Sequence, residues 1–465
     1  MKTRKLFAIL LAATLLTACG NHPTESTAPT VSQQDSTSEE TKSHTPKEDV
    51  IITIATKGEL NAQLSKAVKT FNGLGKGYKI ELKDYSQYYD PSFEDTNFRM
   101  GLDAVHVKMQ LDIMRGTDID IVYEGAFLDS GKFDIICHKG GFANLYSFME
   151  NDETFSKDSL NSHVLELHEI DGNLYSLPVV FQVETLKGDA RYVGTKENWT
   201  LDELIEKWEQ VPENVTFNGS MDKWYVYDDF MRGNVGQFID YENATVSFDS
   251  PDFLRILKFS NSFPESDMYF SDAYAGMDRF VERCTISGFQ KFHNQLWSMD
   301  GKDYTLVGYP SYDGNGAFIN TSGFRYAICY KSPPEEQQGA WEFLKYLASE
   351  SYQYDYMKAN GEEVGFPINN AVFERLAEEA LKNEGKPNIV SMNGTEIDLG
   401  YFSHAEYDRL MEYIANTGRI TSNIDEPLWT IINEEMRTLF SGQKSEEEVA
   451  EAIQGRASIM VSEQS

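Results

Sequence analysis

The sequence predicts an α/β fold built on a mostly parallel sheet. Three observations lead there. Ile51-Ile52-Thr53-Ile54-Ala55 is a β-rich run. Leu60, Leu64, Ala67, Val68 and Phe71 follow on one face of a helix, at i, i+4, i+7, i+8 and i+11. Tyr78-Lys79-Ile80-Glu81-Leu82 then alternates as a strand, and Ile119-Asp120-Ile121-Val122-Tyr123 repeats the signal. Strand–helix–strand order implies parallel strands joined by right-handed crossovers. In such sheets ligands bind outside the carboxyl ends of the strands. Those ends are Lys57-Gly58-Glu59, Asp84-Tyr85 and Tyr123-Glu124-Gly125, all polar or aromatic.

Later elements carry clear end signals. Thr200 and Glu203 form a capping box before Leu204, Ile205 and Trp208. Ser250-Pro251 is an N-cap with proline at the first helical position. A strand at Phe324-Arg325-Tyr326-Ala327-Ile328 leads through Pro333-Pro334 into a helix bearing Trp341, Phe343, Leu344 and Leu347. Near the C-terminus, Ile431, Ile432, Met436, Leu439 and Phe440 mark a helix with Gly442 as its C-cap. Ser445 and Glu448 then start the last helix.

Charge and composition limit the function. The chain has 465 residues, enough for two or three domains or one large two-lobed unit, and a formal net charge of -33. Nucleic acid needs a basic footprint and is excluded as a partner. A peripheral grip on anionic lipid is excluded for the same reason. Met1 to Lys5 is basic, and Leu6 to Leu16 is an apolar run too short for a permanent span. Leu16-Thr17-Ala18-Cys19-Gly20 resembles the lipobox of bacterial lipoproteins, the alternative being an ordinary secretory signal. The resemblance implies removal of residues 1–18 and a lipid on the Cys19 thiol. Residues 21–49, rich in Ser, Thr, Pro, Glu and Gln, read as a disordered tether spanning on the order of 30 Å. Cys137, Cys284 and Cys329 remain; buried thiols are the default, and one disulfide stays open.

The familiar catalytic and metal motifs are missing from the sequence. There is no G-x-S-x-G elbow and no Walker A loop. Gly73-x-Gly75-x-Gly77 follows a helix and precedes a strand, the reverse of a phosphate loop. His163 and His168 are five apart, not the four that place two ligands on one helical face. Asp313-Gly314-Asn315-Gly316 reads as a turn rather than a calcium loop. No catalytic residue, metal ligand or cofactor is assigned.

Several stretches together resemble the extracellular carbohydrate-binding proteins of ABC importers, family 1, of the maltodextrin-binding type. They are DIDIVYEG, DGNLYSLPVVFQVETL, ENWTLDELIEKW, TISGFQKF, YTLVGYPSYDGNGAF, GAWEFLKYLASESYQY, EEVGFPINNAVF and the segment from Trp429 to Arg456. The resemblance covers residues 50–461. It implies the two-lobed periplasmic-binding-protein-like fold (type II), with lobes joined by hinge crossings and sugar between them. The crossings are expected near residues 179–183, 311–319 and 348–354. The first lobe is then 50–180 with a return segment 319–350, and the second is 181–318 with C-terminal helices 351–465. The implied protein is a monomer on the extracellular face of the bacterial cytoplasmic membrane. It is lipid-anchored through Cys19 and delivers a sugar or oligosaccharide to ABC permease subunits.

A pyranose has an apolar face that suits aromatic rings and a hydroxyl rim that suits charged or amide groups. By the resemblance, Lys57 and Glu59 are polar contacts after the first strand, and Tyr85 follows the second. Glu124 stands where maltodextrin binders carry an aromatic, which bears against maltose itself. Gln182 replaces a hydroxyl-binding carboxylate at the first crossing. Trp224 and Phe289 stack from the second lobe or pack in its core. Trp429, thirteen residues before Gly442, stacks on a sugar ring or packs between helices, with Asn433 one turn on. Glu59 has a rival reading as a solvated surface charge. Two other functions are carried alongside: a secreted lipoprotein glycoside hydrolase using two carboxylates, and a binding lipoprotein for a peptide or metal.

Overall fold

The computed structural model describes residues 49–464, except 59–61, 94–97, 128–129, 241–242, 266–275, 297–302, 315, 393 and 422–425. The leader, Cys19, the tether up to residue 48 and Glu59 lie outside the described residues. Strand β1 (Val50–Thr56), helix α1 (Ala62–Asn72) and strand β2 (Tyr78–Asp84) open the fold. Helix α2 (Phe98–Arg115) leads to β3 (Ile121–Tyr123) and α3 (Ser130–His138). Strands β4 (Leu177–Pro178) and β5 (Val180–Asp189) follow, then α4 (Lys223–Asn234), β6 (Val281–Ile286) and α5 (Phe289–Leu296). Next come β7 (Tyr304–Leu306), β8 (Phe318–Asn320), β9 (Arg325–Ile328), α6 (Pro334–Leu347), α7 (Glu350–Asn360) and β10 (Phe366–Pro367). Helices α8 (Glu426–Phe440) and α9 (Glu446–Gln464) close the chain.

Two five-stranded sheets organise these elements. The first has the order β2-β1-β3-β9-β4. β1 runs parallel to β2 and to β3, but β9 is antiparallel to both β3 and β4. The sheet is therefore mixed rather than mostly parallel. The reason lies in the path of the chain: β9 starts where β3 ends, with Tyr326 opposite Tyr123, and must run back down the sheet. The second sheet is centred on the ten-residue β5, which pairs antiparallel with β6, β7, β8 and β10. The chain leaves the first sheet between Pro178 and Val180 and returns between Asn320 and Arg325. The return falls just past the expected 311–319, because Phe318 to Asn320 still pair with β5.

Alternating residues of the first sheet feed two cores. Ile52, Ile54 and Ile80 pack with Trp341 and Phe343 of α6 on one face. Ala55 and Val122 pack with Met109 of α2 and Phe133 of α3 on the other. Burial on both faces is the condition that favours near-continuous apolar strands. A third core gathers Phe217, Phe230, Phe253 and Phe280 with Leu428, Ile432 and Met436 of α8. The expected caps form: Thr200 with Glu203, Ser250 at Phe253, and Ser445 with Glu448. Gly442, at φ +72°, ends α8, its N–H bonded to the Leu439 carbonyl at 2.9 Å. Cys137, Cys284 and Cys329 are buried and free, so no disulfide joins them.

Trp341 anchors the first core. Its ring is fully buried, and its indole N–H donates to Asp152 Oδ2 at 2.9 Å. Burial opposes the charge on Asp152, but hydrogen bonds from Lys345, Thr154 and Trp341 hold its carboxyl well below the usual range. Trp341→Ala should cost about 3–5 kcal/mol of stability by opening a cavity. A fall in urea midpoint at unchanged slope is the expected result; a midpoint matching the wild type would refute the assignment.

Candidate binding site between the two sheets

The carboxyl ends of β1, β2 and β3 form one rim. Gly58 turns the chain after β1 at φ +77°, a conformation that favours glycine. Its N–H donates to Asp84 Oδ1 at 2.8 Å, tying the ends of β1 and β2 together. Lys57 is half-buried, and burial lowers its pKa. Beyond β3, the Tyr123 ring stacks on Tyr326 with centroids 5.8 Å apart.

A buried ionic cluster stands at the end of this rim. Arg325 Nε and Nη2 donate to Glu124 Oε2 and Oε1 at 3.0 and 2.7 Å, a bidentate fork. Arg325 Nη1 donates to Asp134 Oδ1 at 2.6 Å. The Gly323 N–H adds a bond to Glu124 Oε2 at 2.9 Å, and the Phe133 ring lies 5.0 Å from the guanidinium carbon. Burial is the largest influence on Asp134 and raises its pKa, while the Arg325 charge pulls it back. Nearby, His168 is buried between the Val164 carbonyl and the Thr321 hydroxyl, each at 2.8 Å. Burial, and then the Arg325 charge, push its pKa down to about 3.

Beside the cluster lies a cavity of about 250 Å3. Asp134, Glu169, Tyr175, Ser176 and Arg325 line it from the first sheet's side. Gly236 and Ile239, which follow α4, face them together with Ile420 and Thr421. Residue 420 also bridges to Ile319 of β8, next to the return crossing. The walls offer one aromatic ring, carboxylate acceptors and hydroxyls, groups that hold a polar ligand by hydrogen bonding.

The expected site residues scatter. Tyr85 is fully buried with its hydroxyl on Asp112 at 2.8 Å, so it offers no face to a ligand. Glu124 is 1% exposed and committed to Arg325; it shapes the site from behind instead of touching what fills it. Phe289 is 3% exposed, its ring 5.1–5.4 Å from those of Phe373, Phe366 and Phe402, and it belongs to the core. Trp224 meets Phe440 edge-on at 4.7 Å and is half-buried. Gln182 spends its amide on the carbonyls of Glu363 and Val364, both at 3.2 Å. Trp429 and Asn433 are half-buried on α8, Trp429 packed against the third core; neither lines the cavity. Sequence reasoning missed Asp134, Glu169, Tyr175 and Arg325. One signal was available for Arg325: a charge inside an otherwise apolar strand.

No family model matches the sequence, and no curated protein matches it. Solved structures do. The chain is similar to a periplasmic oligogalacturonide-binding protein from Yersinia enterocolitica, at 17% identity and a TM-score of 0.55, covering 89% of this chain and 100% of that one. It is similar to a family 1 extracellular solute-binding protein from Alicyclobacillus acidocaldarius, at 16% identity and a TM-score of 0.53, covering 89% and 99%. It also resembles a de novo designed cysteine esterase, at 16% identity and a TM-score of 0.55, covering 89% and 98%. At these identities the likeness shows the fold: the two-lobed α/β architecture of solute-binding proteins.

His168 makes the site pH-sensitive in a defined direction. The folded state keeps it neutral down to about pH 3, whereas the unfolded chain binds its proton below ~6.5. The unfolded state therefore holds more protons between those values, and stability falls as pH falls through that window, by at most ~1.4 kcal/mol per unit. His293, raised by its bond to Glu406, acts with the opposite sign. Comparing wild type with His168→Gln cancels that contribution. Urea midpoints from pH 8 to pH 5 should drop more in the wild type; parallel profiles would show that His168 is not held neutral.

Proposed function

We propose that this protein is an extracellular receptor that captures a sugar or oligosaccharide between its lobes, closes on it and hands it to an ABC permease. The observation that carries the reading is the cavity beside Arg325, lined from the first sheet's side and from the segments after α4 and before α8, in a solute-binding fold. Tyr175 supplies a ring for a pyranose face, and Glu169, Asp134, Ser176 and Thr421 supply partners for hydroxyls. Among proteins of similar fold, the Yersinia protein binds oligogalacturonide, and another, from Arthrobacter globiformis, binds cyclic α-maltosyl-1,6-maltose. The Arg325 donors toward Glu124 and Asp134 are already spent, which favours a neutral sugar over an acidic one. The cavity is smaller than the ~300–1,000 Å3 of typical ligand pockets. Hinge closure supplies the missing contacts, and the ligand selects the closed form by touching both lobes.

This reading takes the lobes as residues 50–180 with 319–350, and 181–318 with 351–465, apart from Ile319 and Asn320, which pair with β5, and α7, which packs beside α1. The lipobox-like stretch makes Cys19 the lipid anchor that keeps the receptor at the membrane. No described helix is long and apolar enough to cross a membrane. Trp429 becomes the stacking residue of the second lobe. Its helix starts only five residues after Thr421 of the cavity, and its ring is half-buried, with part of its surface free.

Calorimetric titration with a panel of neutral oligosaccharides should give saturable binding without turnover. Hydrolysis of the titrated sugar would replace the receptor with a glycosidase. Small-angle scattering should show a smaller radius of gyration at saturation with unchanged mass; identical profiles would count against closure.

Trp429→Ala separates a cleft role from a core role. Loss of one aromatic contact at the ligand typically costs on the order of 2 kcal/mol, tens-fold in affinity. Loss of a core tryptophan costs about 3–5 kcal/mol in folding instead. Much weaker sugar binding with near-normal urea unfolding is expected. A large drop in unfolding midpoint with unchanged affinity would return Trp429 to the core.

A further inference from the structure

A second groove lies away from the cavity, between α1 and α7. Its volume is about 260 Å3. Gln63, Lys66, Thr70 and Leu74 line one side, at i, i+3, i+7 and i+11 along the face of α1 and just beyond it. Tyr346, at the end of α6, and Tyr352 and Tyr356 of α7 line the other, with Asp355 beside them.

The three tyrosines form a continuous wall. Tyr346 and Tyr352 have centroids 5.2 Å apart, and Tyr352 and Tyr356 stack at 5.8 Å with planes 29° apart. Each ring packs one side against the first core and is half-buried. Lys66, Thr70 and Asp355 beside the wall are exposed, and Gln63 is half-buried. Thr70 and Tyr346 line the groove at one end. At the other end Gln63 Nε2 donates to Asn360 Oδ1 at 3.1 Å, fixing α7 against α1. Lys66 and Asp355 make no hydrogen bond or ion pair among the described residues. In a chain with many exposed ion pairs, an ammonium and a carboxylate facing one aromatic slot are left unused.

We propose that this groove is a second carbohydrate subsite, taking a single pyranose unit of a glycan. The C–H face of the ring lies on Tyr352 and Tyr356. Its hydroxyls donate to Asp355 and accept from Lys66. Aromatic wall plus opposed donor and acceptor is the chemistry that distinguishes a sugar from a purely apolar ligand. The groove shares no residue with the cavity between the sheets, and the assignment stands without it.

The test is calorimetric titration with maltotriose and cellotriose of the wild type, Asp355→Ala, and Tyr352→Leu/Tyr356→Leu. Leucine keeps the apolar packing against the core, and Asp355 is exposed, so at least one variant retains the fold. Urea unfolding checks both. The expected result is a weak saturable step, ~millimolar, that either substitution weakens roughly tenfold or more, while any tighter step is unchanged. A groove-sensitive step without a tighter one would uphold this subsite and show that neither sugar is the interlobe ligand. Titrations insensitive to both substitutions, or no saturable step with either sugar, would overturn the subsite. Concentration-dependent self-association abolished by the tyrosine substitutions would also overturn it, because a second copy would then cover the wall.

Discussion

The structure depends on one buried cation. Arg325 is the first residue of β9, where the chain re-enters the first sheet. Its guanidinium bonds Glu124, just past β3, and Asp134 on α3. Three segments far apart in sequence are thereby held at one point of the rim. A guanidinium taken out of water costs several kcal/mol unless its donors are satisfied. Here three of them meet carboxylate oxygens, and a ring covers the plane. The same fork fixes the floor of the cavity, since Arg325 and Asp134 both line it. Burial raises the Asp134 pKa; the Arg325 charge opposes that rise, and the neighbouring Glu124 charge adds to it.

The second constraint is the long strand β5. It begins two residues after β4 of the first sheet and runs the length of the second. Its first residues pair with β10, and its last with β7. The segment before β10 is bound at several points. Glu362 accepts from the N–H groups of Gln290 and Lys291 at 3.0 and 2.7 Å, the free donors at the start of α5. A side chain at Gly288 would collide with Glu362, so glycine is required there. Gly365, at φ +125°, lies against the Phe181 carbonyl, where a Cβ would come within 2.5 Å. The connection between sheets is thus well packed.

Local structure was legible in the sequence because its causes are local. The period of Leu64, Ala67 and Phe71, the Thr200 and Ser250 caps and the Gly442 terminus are each decided within a few residues. The antiparallel β9 was not legible, because its direction is set by where the chain returns from the second sheet. The candidate site suffered for the same reason. Residue type at a strand end suggested Tyr85 and Glu124. Whether such a side chain points to ligand or inward depends on a distant partner, Asp112 for one and Arg325 for the other. Phe289, read either as a stacking residue or as core, meets Phe366, Phe373 and Phe402, the core alternative. Asp134 carries no motif, and Tyr175 sits within the DGNLYSLPVVFQVETL stretch without a signal of its own; the three-dimensional path brings them to one cavity.

The surplus of acidic residues follows from the same logic of where charge is spent. With 74 acidic and 41 basic residues, most carboxylates must face water. A strongly negative body stays soluble and repels anions over the range of a Debye length. Inside, the cations are drawn to buried or half-buried carboxylates: Arg325 to Glu124 and Asp134, Lys345 to Asp152, Arg283 to Asp229. Each pairing offsets desolvation and fixes an element, but it also removes a donor from the surface. The cavity walls are consequently richer in acceptors than in free donors. A ligand that brings its own donors, as hydroxyls do, matches such walls without asking any ion pair to break.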